Sequence, residues 1–207
     1  MHLKRSQTNR RWPIKRKGTK YVAKAKGHVS EGVPVVVALR EMLKIAKTSK
    51  EAKQMVNSGV IKLNGKPVKN IKESVKLFNV LEAAKKYVLT ILTTGRFDFK
   101  EEKSDSRLCK VVDKKMLKGK KIQLNLHDGT NILADKKINI GDSVELDFSN
   151  KVKNVISLEK GKNAFVISGR SIGKTGKIQE IENKKVKVKF DKEDKEVELE
   201  MSHVMVI

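Results

Sequence analysis

No stretch of this chain stays apolar for longer than residues 33–39, and through its second half apolar residues come in short alternating runs split by turn-forming pairs. This pattern limits the size of every element. A membrane span needs about 20 apolar residues, so none is encoded as a helix. A period of two selects strand over helix. Ile122–Leu126 alternates, Asp128-Gly129 supplies a hairpin turn, and residues 131–134 return. Gly141-Asp142 introduces a strand over 144–148, and residues 155–158 and 164–167 read as further short strands. Residues 186–190 and 197–201 flank a charged turn over 191–195, with lysines on one strand facing acids on the other. Many short strands with regular turns predict small β-barrels.

The first half reads differently. Pro34 suits the first turn of a helix, where its missing N–H is not needed. Val36, Leu39, Leu43 and Ala46, with Met42, form one apolar stripe at helical spacing. Thr48 and Glu51 have the spacing of a capping box, which predicts a second helix with Ala52, Met55 and Val56 inward and Lys50, Lys53 and Asn57 outward. Ser58-Gly59 ends it. A strand over 60–63, the hairpin pair Asn64-Gly65, a strand over 87–92 and a turn at Thr94-Gly95 into Phe97 follow.

Charge sets the class of partner. The chain holds 47 Lys and Arg against 24 Asp and Glu, a formal net charge of +23, which calls for a polyanion. The excess is uneven. Residues 1–32 hold ten cations and a single acid, whereas residues 166–207 hold nine cations and eight acids. The N-terminal segment, with Lys4, Arg5, Arg10, Arg11, Lys15, Arg16, Lys17, Lys20, Lys24 and Lys26, has too few apolar residues to offset its own ordering entropy. It reads as an extended basic arm ordered by its partner, with Trp12 stacking on bases. The competing reading has Trp12 packing on its own domain.

Catalytic and metal chemistry find little support. A single cysteine, Cys109, excludes an internal disulfide and a multi-cysteine zinc site, and reads as a buried small residue in a reducing, cytoplasmic setting. The four histidines are scattered. His127 and Asp128 are adjacent on a strand, so they point to opposite faces and cannot form a base–orienter pair. In "VISGRSIGKTGKIQEI", residues 166–181, Gly169, Gly173 and Gly176 lie among Arg170, Lys174 and Lys177. A phosphate-binding P-loop needs four residues between its glycines and a helix after it; here three residues intervene and strand follows.

Two stretches resemble known motifs. "TSKEAKQMVNSGVIKLNGKPV" resembles the αL-type RNA-binding motif of ribosomal proteins, pseudouridine synthases and some tRNA synthetases. That likeness implies RNA contacts at Lys47, Lys50, Lys53, Lys62, Asn64 and Lys66, with Arg40 and Lys44 on the preceding helix adding charge. The motif often carries Arg at the position of Lys50, and lysine offers a point charge rather than a bidentate fork. Residues 166–181 look like a KOW motif, the strand–loop–strand of small barrels. With "HLKR" at 2–5, "ALREMLKIAKTSKEAKQMV", "RLCKV" and "QLNLHDGTNI", the whole chain resembles the small-subunit ribosomal protein S4e family of archaea and eukaryotes.

The resemblance implies an α+β, mainly β fold. Its expected parts are a basic arm over 1–33, an αL-type RNA-binding module over 34–95, a central β-barrel-like domain over 96–165 and a C-terminal SH3-like KOW barrel over 166–207. It implies a structural constituent of the small ribosomal subunit that is not an enzyme, with small-subunit rRNA and neighbouring ribosomal proteins as partners. No cofactor, membrane or small-molecule substrate is expected. Lys4, Arg5, Arg10, Arg11, Trp12, Lys15, Arg16, Lys17, Arg170, Lys174 and Lys177 complete the expected RNA contacts. An RNA-modifying or tRNA-handling factor with the same motif, and a KOW-type transcription factor that binds polymerase, are the alternatives.

Overall fold

The computed structural model describes residues 2–27, 31–134, 137–191 and 196–207, with Lys120 described by its backbone alone. The expected turn over 191–195 therefore lies outside the described residues except for Asp191. The chain divides into two compact units, Met1–Ser104 and Asp105–Ile207. As expected, strands dominate both.

In the first unit, β1 (Leu3–Lys4) pairs antiparallel with β2 (Tyr21–Val22). β3 (Gly32–Pro34) pairs with β6 (Ser74–Lys76). Pro34 thus ends a strand rather than opening a helix. Helix α1 (Val35–Val37) widens at once into a π-type turn over Ala38–Met42, where the Leu43 N–H bonds to the Ala38 carbonyl at 2.9 Å. The run of β-branched valines disfavours a regular helix. The widened turn and Lys44, at φ 56°, end the stripe that the spacing alone would have continued to Ala46. Helix α2 (Ser49–Asn57) has the predicted capping box, with Thr48 Oγ1 accepting from the Glu51 N–H at 3.2 Å and Ala52 and Val56 buried.

The main sheet of this unit runs β5-β4-β7-β8-β9, from β4 (Lys62–Leu63), β5 (Lys66–Pro67), β7 (Val80–Ala83), β8 (Lys85–Ile91) and β9 (Phe97–Glu101). Leu39, Ile61, Leu81, Leu89 and Phe97 are buried at its core. Asn64 and Gly65 both have positive φ, the geometry of the hairpin predicted between β4 and β5. β8 and β9 pair from Tyr87↔Glu101 to Ile91↔Phe97, so the expected boundary at 95/96 falls inside a hairpin.

The N-terminal segment is folded, which corrects the expectation of an extended arm. Leu3 and Ala25 are buried, and Trp12 is 3% exposed. The Trp12 indole N–H donates to the Gly32 carbonyl at 2.9 Å, and the Phe97 N–H donates to the Arg11 carbonyl at 2.8 Å. Counting apolar residues within the segment misjudged it. A segment needs no core of its own when one indole can dock on its neighbours'.

In the second unit, β10 (Ser106–Met116) is the long centre of a sheet ordered β12-β11-β10-β13-β14. Its partners are β11 (Ile122–Leu126) and β13 (Ser143–Asp147), flanked by β12 (Asn131–Ala134) and β14 (Val152–Ile156). The first half of β10 pairs with β13 and the second half with β11, with a register shift between Val111 and Asp113. Such a shift curls the sheet into a half-barrel. Cys109, Val111, Leu124, Leu126, Val144 and Leu146 fill it. The last sheet runs β18-β17-β16-β15-β19, from β15 (Asn163–Val166), β16 (Thr175–Glu182), β17 (Lys185–Phe190), β18 (Glu196–Glu200) and β19 (Val204–Val206). Val166, Ile178, Val186, Val188 and Val204 form its core. Gly176 sits inside β16 rather than in the loop; a Cβ there would meet the Lys189 carbonyl oxygen at 2.3 Å.

Candidate nucleic-acid interface

The capped start of α2 fixes the first group of cations. Lys47, Lys50 and Lys53 are exposed on and just before this helix, and Lys62 and Lys66 are exposed on the hairpin that follows. Among the described residues, none of these five has a carboxylate within salt-bridge distance. Helix spacing puts Lys50 and Lys53 on one face, and the helix N-terminus adds positive potential beside them. Lys44 is exposed as well. Two expected contacts are committed elsewhere. Arg40 pairs with Glu41 at 2.7 Å and donates to Ser49 Oγ at 2.8 Å, which ties the π-type turn to the start of α2. Asn64 Oδ1 accepts from the Val80 N–H at 2.9 Å, which fastens the hairpin to β7.

The second group lies on the N-terminal segment, where Lys4, Arg10, Lys15, Arg16 and Lys17 are exposed. Arg11 is half-buried. The Arg5 guanidinium is an internal staple: it donates to the Thr19 carbonyl at 2.7 Å, the Lys15 carbonyl at 2.5 Å and Thr19 Oγ1 at 3.0 Å. Trp12, expected to stack on bases, is buried and is not available to stack on an exposed base. Lys4, Arg10, Lys15, Arg16 and Lys20 gather around a cleft of about 810 Å³. Arg96, from the turn before β9, completes its rim. The sequence carried no local sign of Arg96, which lies some 76 residues beyond Lys20 in the chain.

The third group, in the KOW-like region, is mixed. Arg170 is exposed on the loop between β15 and β16, Lys177 is exposed on β16, and the Lys174 ammonium lies 5.1 Å from the centre of the Phe190 ring. On β17 and β18 the expected cross-strand pairing is present, with Lys187 opposite Glu198 and Lys185 opposite Glu200. Of the ion pairs, Lys185 to Glu198 at 2.9 Å runs diagonally, whereas Lys187 reaches its direct partner on the other side, Glu180 of β16, at 2.7 Å. Hydrogen bonds to these lysines hold Glu180 and Glu198 below the usual carboxylate range, and the same bonds raise Lys185 and Lys187.

The buried polar groups of the second unit are built for structure. Asp128 pairs with Arg107 at 2.7 Å, with both side chains almost fully buried, and also accepts from the Thr130 N–H and hydroxyl, each at 2.8 Å. Arg107 further donates to Asn150 Oδ1 at 2.8 Å. His127 Nδ1 accepts from the Lys110 N–H at 3.1 Å, so His127 and Asp128 serve different partners. Cys109 is buried, and burial followed by the nearby Asp128 charge pushes its thiol upward. Lys110 Nζ donates to the Met201 and Ser202 carbonyls, and burial lowers its pKa to about 8. What the exposed residues offer is a cationic surface for a polyanion.

Three family descriptions match the chain in order: S4 domain over residues 35–81, ribosomal family S4e over 83–162 and KOW motif over 160–191. The small ribosomal subunit protein eS4 of Methanocella arvoryzae is 36% identical over 188 residues, covering 87% of this chain and 80% of that protein. Its counterpart in Methanothermobacter thermautotrophicus is 34% identical over 190 residues, covering 87% and 78%. The crystal structure of the 30S ribosomal protein S4e from Thermoplasma acidophilum is similar with a TM-score of 0.73 at 27% identity, over 86% of this chain and 95% of that one. The capped lysine helix with its hairpin, the half-barrel and the KOW-like sheet thus fall in turn within the three matched ranges, and the chain belongs to the ribosomal S4e family.

Proposed function

We propose that this chain is a structural constituent of the small ribosomal subunit, where it binds rRNA through phosphates and shape and supports assembly and translation. The observation that carries the reading is the set of exposed lysines on α2 and its hairpin, none of them held in an ion pair among the described residues, in a chain of this family. Lysines there neutralise phosphates and release counterions, while the rigid hairpin selects a folded RNA surface rather than a sequence. Neighbouring ribosomal proteins complete its partners, and its place is the ribosome in the cytoplasm. The reading assigns the chain no reaction: its buried Asp128, Arg107 and Cys109 are tied to one another and not to an open site.

Gradient sedimentation of a lysate tests this directly. The chain is expected to travel with small subunits, and a Lys50→Glu, Lys53→Glu double variant is expected to be depleted from them. A chain found wholly outside subunit particles overturns the reading. Normal incorporation of the double variant moves the main contact away from α2.

A further inference from the structure

We propose that the cleft in the N-terminal segment is a receptor for one unpaired ribonucleotide of the bound RNA; this deepens the rRNA-binding reading and rests on it. The cleft holds about 810 Å³, within the range of about 300–1,000 Å³ typical of small-molecule sites. Its rim and the rest of its lining differ in chemistry. Lys4, Arg10, Lys15, Arg16, Lys20 and Arg96 supply the rim, and among the described residues lining the cleft there is no Asp or Glu. Ile14, with the small accessible edge of the otherwise buried Trp12, supplies an apolar part of the lining. Thr8 also lines the cleft, and its hydroxyl oxygen is buried without a hydrogen-bond partner.

These features together select the ligand. A ring of cations around a depression attracts any phosphate. An inorganic anion, however, leaves the apolar part of the lining and an unpartnered hydroxyl unused. An RNA duplex is convex and presents its phosphates along an outer rim, so it rides over a depression without filling it. An unpaired nucleotide fills both parts: its base packs against Ile14 beside the edge of Trp12, its edge or 2′-hydroxyl meets Thr8, and its flanking phosphates meet the rim. A smaller cleft of about 200 Å³ shares Arg5, Ile14 and Lys15 with the first and reaches Arg40 and Glu41. Arg40 in turn touches Ser49 at the start of α2. The second cleft thus leads from the nucleotide site toward the start of α2, and Lys15 and Lys17 rather than the paired Arg40 supply the charge for an RNA strand that leaves it.

Trp12 is the sole tryptophan of the chain, so its fluorescence reports on this cleft alone. The full-length protein is titrated with a short single-stranded oligoribonucleotide, a blunt RNA duplex and inorganic phosphate. Single-stranded RNA is expected to change Trp12 emission saturably, and the duplex and phosphate are expected not to at the same concentrations. Thr8→Val removes the hydroxyl at constant shape. It is expected to weaken oligonucleotide binding about three- to ten-fold while leaving the thermal midpoint unchanged or raised. Arg96→Glu, an exposed change, is expected to weaken it too. Silence of Trp12 toward the oligonucleotide, or an equal response to duplex or phosphate, overturns the nucleotide site, as does unaltered affinity in both variants. Retention of an rRNA fragment by the same preparation, followed by gel shift, separates the two ideas. Retention with a silent Trp12 sinks the cleft alone, whereas loss of both sinks the rRNA reading as well.

Discussion

On β17 and β18 alternate residues are charged, and Lys185 and Lys187 face glutamates across the ladder. On α2 and the β4–β5 hairpin the lysines are just as exposed, yet among the described residues none is held in an ion pair, although Lys62 lies opposite Glu82 on β7. Lysine density alone therefore says little about where a polyanion docks. In the C-terminal sheet the cations are neutralised within the fold and serve a solvated face. In the first unit a few cations, such as Arg40 and Lys85, are paired with acids, and most of the excess charge is left for a ligand to offset. Residues 1–95 hold 22 cations against five acids, so the contrast is written into the acids, not the lysines.

RNA affinity gives the sharpest test of that contrast. If about 6–10 phosphates are contacted, affinity for rRNA should fall about 10³–10⁵-fold between ~50 and ~200 mM salt. Reversing Lys50 and Lys53 to Glu should lower both affinity and the salt slope, by about one unit of slope for each phosphate no longer neutralised. Reversing Lys185 and Lys187 should leave both nearly unchanged. Equal reductions from the two pairs, measured by filter binding across a salt series, would erase the distinction between compensated and uncompensated lysines.

The same contrast extends to stability, where burial rather than exposure gives an ion pair its weight. Asp128→Ala strands the Arg107 charge in the half-barrel and should cost about 3–5 kcal/mol in urea unfolding of the second unit. Glu198→Ala breaks an exposed pair and should shift the midpoint hardly at all.

Lys110 supplies a pH signature of the same unit. Burial lowers it to about 8 in the folded chain, against 10.5 ordinarily. Between those values the unfolded chain binds more protons, so stability should rise with pH. That contribution is complete above the ordinary lysine value and is lost as pH falls through about 8. Cys109, raised by burial, acts in the opposite sense above its ordinary value of 9.0, so the slope between pH 8 and 9 isolates Lys110. Lys110→Met should flatten that slope in denaturant titrations; an unchanged slope would assign it to another group. The smallest effect expected is at the α2 cap. Thr48→Ala should cost about 1 kcal/mol, visible as a lower unfolding midpoint of the first unit.

Much of the fold was legible in local pattern. The capping box at Thr48 and Glu51, the Asn64-Gly65 and Asp128-Gly129 turns and the Lys–Glu ladder all depend on residues a few positions apart or on period two. Two elements were not legible. β10 was hidden because Arg107 and Lys110 sit at buried positions and break the apolar alternation. The partner that makes Arg107 tolerable, Asp128, is supplied by a turn two strand-lengths away. The N-terminal segment was misread because its one large apolar anchor, Trp12, finds its pocket beside Gly32 and Phe97.

The sequence by itself determined the sign and distribution of charge, the strand-rich class and the helix–hairpin unit with its exposed lysines, because each follows from composition or from short-range periodicity. Only the tertiary structure decided that the basic leader is folded, that Arg5, Arg40 and Asn64 are spent on internal bonds, and that Arg96 joins Lys4 and Lys20 around one cleft. Those outcomes depend on which distant segments meet. A side chain's availability to a ligand is settled by the donors and acceptors that folding places beside it, and no local pattern records them.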